Sequence, residues 1–346
     1  MKNLQKTIGC MLAATVILSS CNEGDKNGVK ASNTTVLYAT NNANGDVTAY
    51  DYSNEMAEST TYATNSSAAD GVYFDASTNT ILQASRSDKG IEGFQKGTVS
   101  AGINLGGIIN VSLAIDGSND MESPREMAVN GNMYVVADNA DVDKNAATPD
   151  GRLFVYQRSG NNFTLRNVIT TDFKLWGITF IGNDLYAVVD ADNELAVFNN
   201  FLSNNTNKTM SASKRIEIEG IVRTHGITYD SDTDTMVMTD IGDAANTQSD
   251  GGFQILSGFK SKFNGTPSGG KLALSQQTKV SGSMTNMGNP VDVAYDGETK
   301  TVYIAEAGNG GGRILAFSNI SSSGGNMAPS INNSLSAASS VYLHKE

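Results

Sequence analysis

From Thr35 onward the chain is written in short apolar runs, each broken by Gly, Asn or Asp. The runs are rich in Val, Ile, Tyr and Phe, and their apolar positions are often consecutive. Consecutive apolar residues in a short run predict a strand buried on both faces. No window carries a helical period. Asp75–Ala76, Gly131–Asn132, Gly182–Asn183 and Gly297–Glu298 fall between paired runs and predict hairpin turns.

The runs repeat as a unit. "DGVYFDASTNTILQASR" from Asp70, "REMAVNGNMYVVADN" from Arg125 and "WGITFIGNDLYAVVDADNELAVF" from Trp176 share one design with "HGITYDSDTDTMVMTD" from His225 and "VDVAYDGETKTVYIAE" from Val291. A third strand follows each copy, as in "GRLFVYQRSG" from Gly151 and "GRILAFSNI" from Gly312, and a variable fourth segment closes the unit. Starts recur roughly every 50 residues, the size of one four-stranded propeller blade. "TVLYATNNANGDVTAYDY" from Thr35 supplies second and third strands without a first, and "SSVYLHKE" from Ser339 is an orphan strand that completes it. The pattern predicts an all-β, six-bladed β-propeller over 34–346, closed by the C-terminal strand in the first blade. A lone blade cannot bury its faces, so the units must stack, and closure leaves no free edge.

Composition narrows the function. Charged residues are 17%, Pro is scarce at 5 residues, and the formal net charge is −12. An acidic chain without a basic stripe is not a nucleic-acid binder. There are 2 Cys and 2 His. A His-based zinc site is excluded by count.

The opening "MKNLQKTIGCMLAATVILSSC" has basic Lys2 and Lys6, then an apolar stretch from Ile8 to Leu18 too short for a spanning helix. Leu18-Ser19-Ser20-Cys21 resembles a bacterial lipoprotein lipobox. The resemblance implies a signal peptide over 1–20, cleavage before Cys21, and acylation of that thiol, palmitate included. The plain alternative is a secretory signal with a coincidental cysteine. Loss of Lys2 and Lys6 takes the charge from −12 to −14. Residues 21–33 are polar and aperiodic, which suits a flexible tether. The acids behind Cys21 resemble Bacteroidetes surface-export signals, and Asp234-Thr235-Met236 resembles that phylum's O-glycosylation sequon. The expected location is the outer membrane, lipid-anchored, on its periplasmic or surface face.

In a propeller the first strand of each blade lines the channel, so the residue before the Gly-Ile/Val step belongs near one mouth. Those residues are Asp70, Arg125, Trp176, His225 and Val291 or Asp292. Varied chemistry on a repeated frame marks a ligand site. Arg125 could clamp an anion and Trp176 stack on a sugar or ring. His225 is a candidate general base if Asp70 orients it; its ordinary alternative is a structural hydrogen bond, as blade packing is for Trp176. Asp138, Asp190, Asp240 and Glu306 end the second strands, and the loops "DNADVDKNAATPDG" and "DIGDAANTQSDGG" follow the first and third of them. Such oxygen density suits Ca²⁺, or simply solvated Asx turns. The blades resemble NHL-like and gluconolactonase-like propellers. The gluconolactonase likeness implies a divalent cation held in the channel by carboxylates and Asn. Of the blade-opening residues only Asp70 and Asp292 fit, and Arg125 and Trp176 stand where ligands belong. The leading expectation is an envelope lipoprotein that binds a partner protein, small molecule or glycan at a mouth. The alternative is a cation-dependent hydrolase or lactonase with its site in the channel.

Overall fold

The computed structural model describes residues 34–54, 58–96, 108–110, 113–116 and 121–346. The signal peptide, Cys21 and the tether lie outside the described residues. Six four-stranded antiparallel blades form a ring. Their innermost strands are Ala338–Lys345 in blade 1, Ala69–Asp75 in blade 2, Pro124–Asn130 in blade 3, Leu175–Ile181 in blade 4, Ile227–Asp230 in blade 5 and Pro290–Asp296 in blade 6. Blade 1 takes its other strands, Thr35–Asn41, Val47–Asp51 and Glu58–Ala63, from the front of the domain, as its missing first strand predicts. The two ends of the domain exchange backbone hydrogen bonds of 3.0 Å, Thr34 with Glu346.

The consecutive apolar runs have a direct physical reading. In each second strand, successive side chains go to opposite sheet faces, and each face is covered by a different neighbour. Tyr134 and Val136 enter the cluster shared with blade 2, while Val135 and Ala137 enter the one shared with blade 4. Met236 and Met238 face blade 4, and Val237 faces blade 6. Leu37 and Ala39 face blade 6, and Val36 and Tyr38 face blade 2. Six such clusters occupy the six seams. Each fully buried Val, Leu, Ile or Phe contributes about 1.5–3 kcal/mol.

The hairpins come in two forms. Gly131–Asn132 and Gly182–Asn183 are two-residue turns with the glycine at φ 61°, as expected. At Asp75 and Asp296 the expected two-residue turns are instead four-residue loops, and the left-handed residue is the last one, Asn79 and Lys300. Blade 5 does the same with Asp234. Each of these loops opens on an Asp that binds the Thr three residues on: Asp75 with Thr78 (2.8 Å), Asp230 with Thr233 (2.6 Å), Asp296 with Thr299 (2.8 Å). Thr235, in the sequon-like triplet, is 3% exposed, with its hydroxyl donated to the Thr233 carbonyl.

One short helix departs from the all-strand expectation. Phe259–Gly265 follows Gly258, held at φ 64°, and buries Phe259 and Phe263 on one face against Tyr186. Seven residues are too few to show a period. Among the described residues, no helix is long and apolar enough to cross a membrane.

Candidate functional site

Five inner strands carry a bulge at their start. Ala69 pairs with Ser85 but Val72 with Gln83, so one extra residue is held at 70–71. The same irregularity falls at 125–126, 176–177, 291 and 339. A bulge re-aims side chains, and here it brings Asp70, Arg125 and Trp176 to one end of the channel beside His225.

There the residues form a stack. The Trp176 and His225 rings lie 3.8 Å apart and 7° from parallel. The Arg125 guanidinium sits 4.1 Å from the Trp176 centroid. At those distances the two partners must cover opposite faces of the indole. Arg125 Nη1 donates to Asp70 Oδ2 at 3.1 Å, and Asn42 donates to Asp70 Oδ1 at 2.8 Å. At the other end His225 Nε2 donates to Asp190 Oδ1 at 3.1 Å. Asp190 also accepts from Arg223 Nη2 at 2.6 Å and Asn139 at 2.9 Å. Burial opposes ionisation of Asp190. The bonds from His225 and Asn139 and the Arg223 charge outweigh it and hold the carboxyl well below the usual carboxylate range. Burial lowers the His225 pKa despite Asp190, so the ring is neutral near pH 7.

Four of the five mouth residues therefore meet, with two corrections. Asp70 does not orient His225; Asp190 does, because Asp70 is spent on Arg125. His225 is 4% exposed and capped by the indole, which is the geometry of a structural histidine. Asp292 does not join the stack. Val291 packs into the seam between blades 6 and 1, and Asp292 falls one pleat deeper.

That deeper level is the waist of the channel. Its positions are Gly71, Glu126, Gly177, Gly226, Asp292 and Ser340, one per blade. A Cβ on Gly71 would lie 2.7 Å from the Arg125 carbonyl oxygen, and one on Gly226 2.6 Å from the Asp292 Cα. Neighbouring backbones come too close there for any side chain. The space freed is taken by Glu126 and Asp292, from opposite blades, whose carboxyls meet across the axis in a hydrogen bond. Asp292 Oδ2 also accepts from Ser340 Oγ at 2.7 Å and the Val341 amide at 2.8 Å. Burial, reinforced by the Asp292 charge, raises Glu126 well above the usual carboxylate range, and burial pushes Asp292 up to about 6. Glu126 is the protonated partner and donates to Asp292. Sequence reading missed Glu126, which stands where other blades have glycine.

Beyond the waist the channel opens into a cavity of about 370 Å³, lined by all six inner strands. Tyr73 and Tyr342 stand on its wall with ring centroids 4.9 Å apart, opposite Thr179 and Thr228.

The four strand-end acids do not converge. Asp138 accepts the Ser123 amide and Arg152, each at 2.5 Å; Asp240 accepts the Val222 amide at 2.9 Å. Glu306 accepts the Gly288, Asn289, Gly308 and Asn309 amides at 2.7–3.0 Å. Asp138, Asp240 and Glu306 each pin the loops of their own blade, while Asp190 ties blade 4 to its neighbours on both sides. A different set, Asp141, Asp143 and Asp150 in the loop after Asp138, brings three carboxylate oxygens within 4.8 Å of one another.

The carboxyl pair sets an expected pH dependence. Both groups titrate higher folded than unfolded. Their stabilisation is therefore complete below about pH 4. It is lost as pH rises through about 6 and beyond. Asp190, with its depressed pKa, loses its contribution only in acid, below this window. Glu126→Gln keeps a neutral donor and removes one titration. Between pH 5 and 8 the wild type should lose at least ~1 kcal/mol relative to the variant, roughly 2–4 °C in melting temperature. Parallel melting curves across that range would refute the shared proton.

No family model and no curated protein matches the chain. Solved structures do. A nidogen/laminin complex aligns with 90% of this chain and 98% of that chain at 13% identity and TM-score 0.56. A putative 6-phosphogluconolactonase from Bacteroides fragilis NCTC 9343 aligns over 91% and 98%, at 11% identity and TM-score 0.49. The WD40 β-propeller domain of Doa1 aligns over 89% and 82%, at 8% identity and TM-score 0.48. At 13% identity and TM-score 0.56 the first likeness is one of fold, and the strand order makes this chain a six-bladed β-propeller.

Proposed function

We propose that this propeller is a ligand-binding module of the bacterial cell envelope, and that it takes a small molecule on its axis. The observation that carries the reading is the axial cavity, to which all six inner strands contribute and whose floor is a pair of carboxyls, Asp292 buried and Glu126 half-buried. Pockets of a few hundred Å³ with a few convergent polar groups are the usual form of a small-molecule site. The stack of Arg125, Trp176 and His225 fills the near mouth, so a ligand enters from the far one. The mouth residues singled out from sequence then act as the back wall of the site, and a small ligand is favoured over a protein docked on the stack.

Native mass spectrometry of the full chain after exposure to a bacterial small-molecule extract tests this. The wild type should retain a bound species that Thr228→Tyr, which fills the cavity at the level of Tyr73 and Tyr342, does not. Equal spectra for the two proteins would defeat the reading.

The envelope part of the proposal rests on the lipobox-like Leu18–Cys21 segment. Palmitate-type acylation of Cys21 would tether the domain to the outer membrane through residues 21–33. Cys21→Ala should move the protein from the detergent phase to the aqueous phase of a Triton X-114 partition. A protein that stays aqueous in both forms carries no lipid there.

A further inference from the structure

The floor of the cavity has an unusual charge balance. Glu126 and Asp292 bring two acids to the axis, and Asp70 adds repulsion from blade 2. Blade 1 answers with Ser340 and the Val341 amide, which are neutral donors. Blades 4 and 5 offer Gly177 and Gly226 at the waist and Thr179 and Thr228 above it. Among the described residues, no Lys, Arg or His lines the cavity. Arg125, adjacent to Glu126 in the chain, is held on Asp70 and Trp176 at the near mouth instead. Other buried carboxyls among the described residues have cations, Asp70 with Arg125, Asp138 with Arg152 and Asp190 with Arg223, or, like Glu306, a cradle of four backbone amides. The axial pair lacks a cation and is left sharing a proton.

The walls are aromatic. Tyr73, Phe180, Tyr229, Tyr295 and Tyr342 all border the cavity, from five of the six blades. Aromatic rings around a buried acid favour an organic cation, which is attracted by the ring faces and neutralised by the carboxylate. A bare divalent metal is a poorer match. Ca²⁺ seeks six to eight oxygens, and three of the six waist positions are glycines without side chains.

We infer that the axial site recognises a primary ammonium group, seated between Glu126 and Asp292, with the rest of the ligand among the tyrosines. The ammonium supplies the positive charge that the protein itself withholds, and it donates to both carboxylates where the shared proton stood. That proton leaves to solvent as the ligand binds. This inference rests on the axial cavity being a ligand site.

The test is isothermal titration calorimetry of the full chain with phenethylamine, its neutral isostere 2-phenylethanol, and CaCl₂, at pH 5, 6.5 and 8. Phenethylamine should bind, at least tenfold more tightly at pH 8 than at pH 5, with a proton released as measured in buffers of different ionisation enthalpy. Glu126→Gln should weaken it at least tenfold at pH 8 while leaving the melting temperature within a few degrees of wild type. Asp292→Asn serves the same purpose should Glu126→Gln fail to fold. The inference is overturned by Ca²⁺ binding in place of the amine, or by equal affinity for amine and alcohol; in the second case the cavity remains a ligand site without charge selectivity. Absence of binding by both organic probes overturns it together with the axial site.

Discussion

A chain that ends at Ser336 loses its cooperative unfolding transition. The missing segment includes Ala338–Lys345, which pairs with Thr35–Asn41 over seven register positions. Ladder hydrogen bonds contribute roughly 0.5–1.5 kcal/mol each, so this strand accounts for several kcal/mol before any packing. It also buries Ala338 and Val341 in the seam with blade 6 and supplies both the hydroxyl and the amide bound to Asp292. The sum approaches the ~5–15 kcal/mol that stabilises a typical domain. Circular dichroism against temperature reads the result: a broad, non-sigmoidal melt for the truncated chain. A sharp transition within a few degrees of wild type would mean that the ring does not depend on its closing strand.

The second large effect is expected at Asp190, the carboxylate that anchors one end of the stack. Asp190→Ala leaves Arg223, Asn139 and His225 without their shared acceptor. His225 is 4% exposed and Asn139 8% exposed, so water does not readily replace it. Breaking a buried ion pair from one side costs about 3–5 kcal/mol. At 2–4 °C per kcal/mol the melting temperature falls by roughly 6–20 °C. Asp190→Asn, which keeps an acceptor oxygen, should cost less. Trp176, the single Trp of the chain, gives a second readout, since its emission should shift when the His225 ring stacked on it is untethered. Unchanged emission with a large loss of stability would show that the stack survives without its anchor.

The architecture was legible because blades repeat. Copies from Asp70, Arg125, Trp176, His225 and Val291 share one pattern, and the orphan strand at Ser339 fits the gap in the first unit. The mouth was legible for a related reason: one position varied where its neighbours did not. The pairing of charges there was not. Arg125 and Asp70 come from adjacent blades, as do His225 and Asp190, and only the ring decides which acid each donor meets. The same limit hid the waist. Glu126 reads as an ordinary polar residue beside Arg125, and its meaning appears only when it is set level with Gly71, Gly177 and Gly226. The bulges that place both levels leave no compositional mark, because any residue can be the extra one. The strand-end acids misled for the opposite reason: they recur at one blade position, so they look like a set, yet the ring holds them apart.

The closing strand also governs when this protein can fold. Blade 1 begins at Thr35 and is finished only by Ala338–Lys345, so its inner edge stays open until that strand is made. Blades 2 to 6 can hairpin locally as they emerge, but the seams on either side of blade 1 cannot seal until the end of the domain is made. The propeller is thus a ring whose clasp is the last strand of the domain to be made, and the nascent domain remains unlatched, and passable through a narrow pore, until that moment.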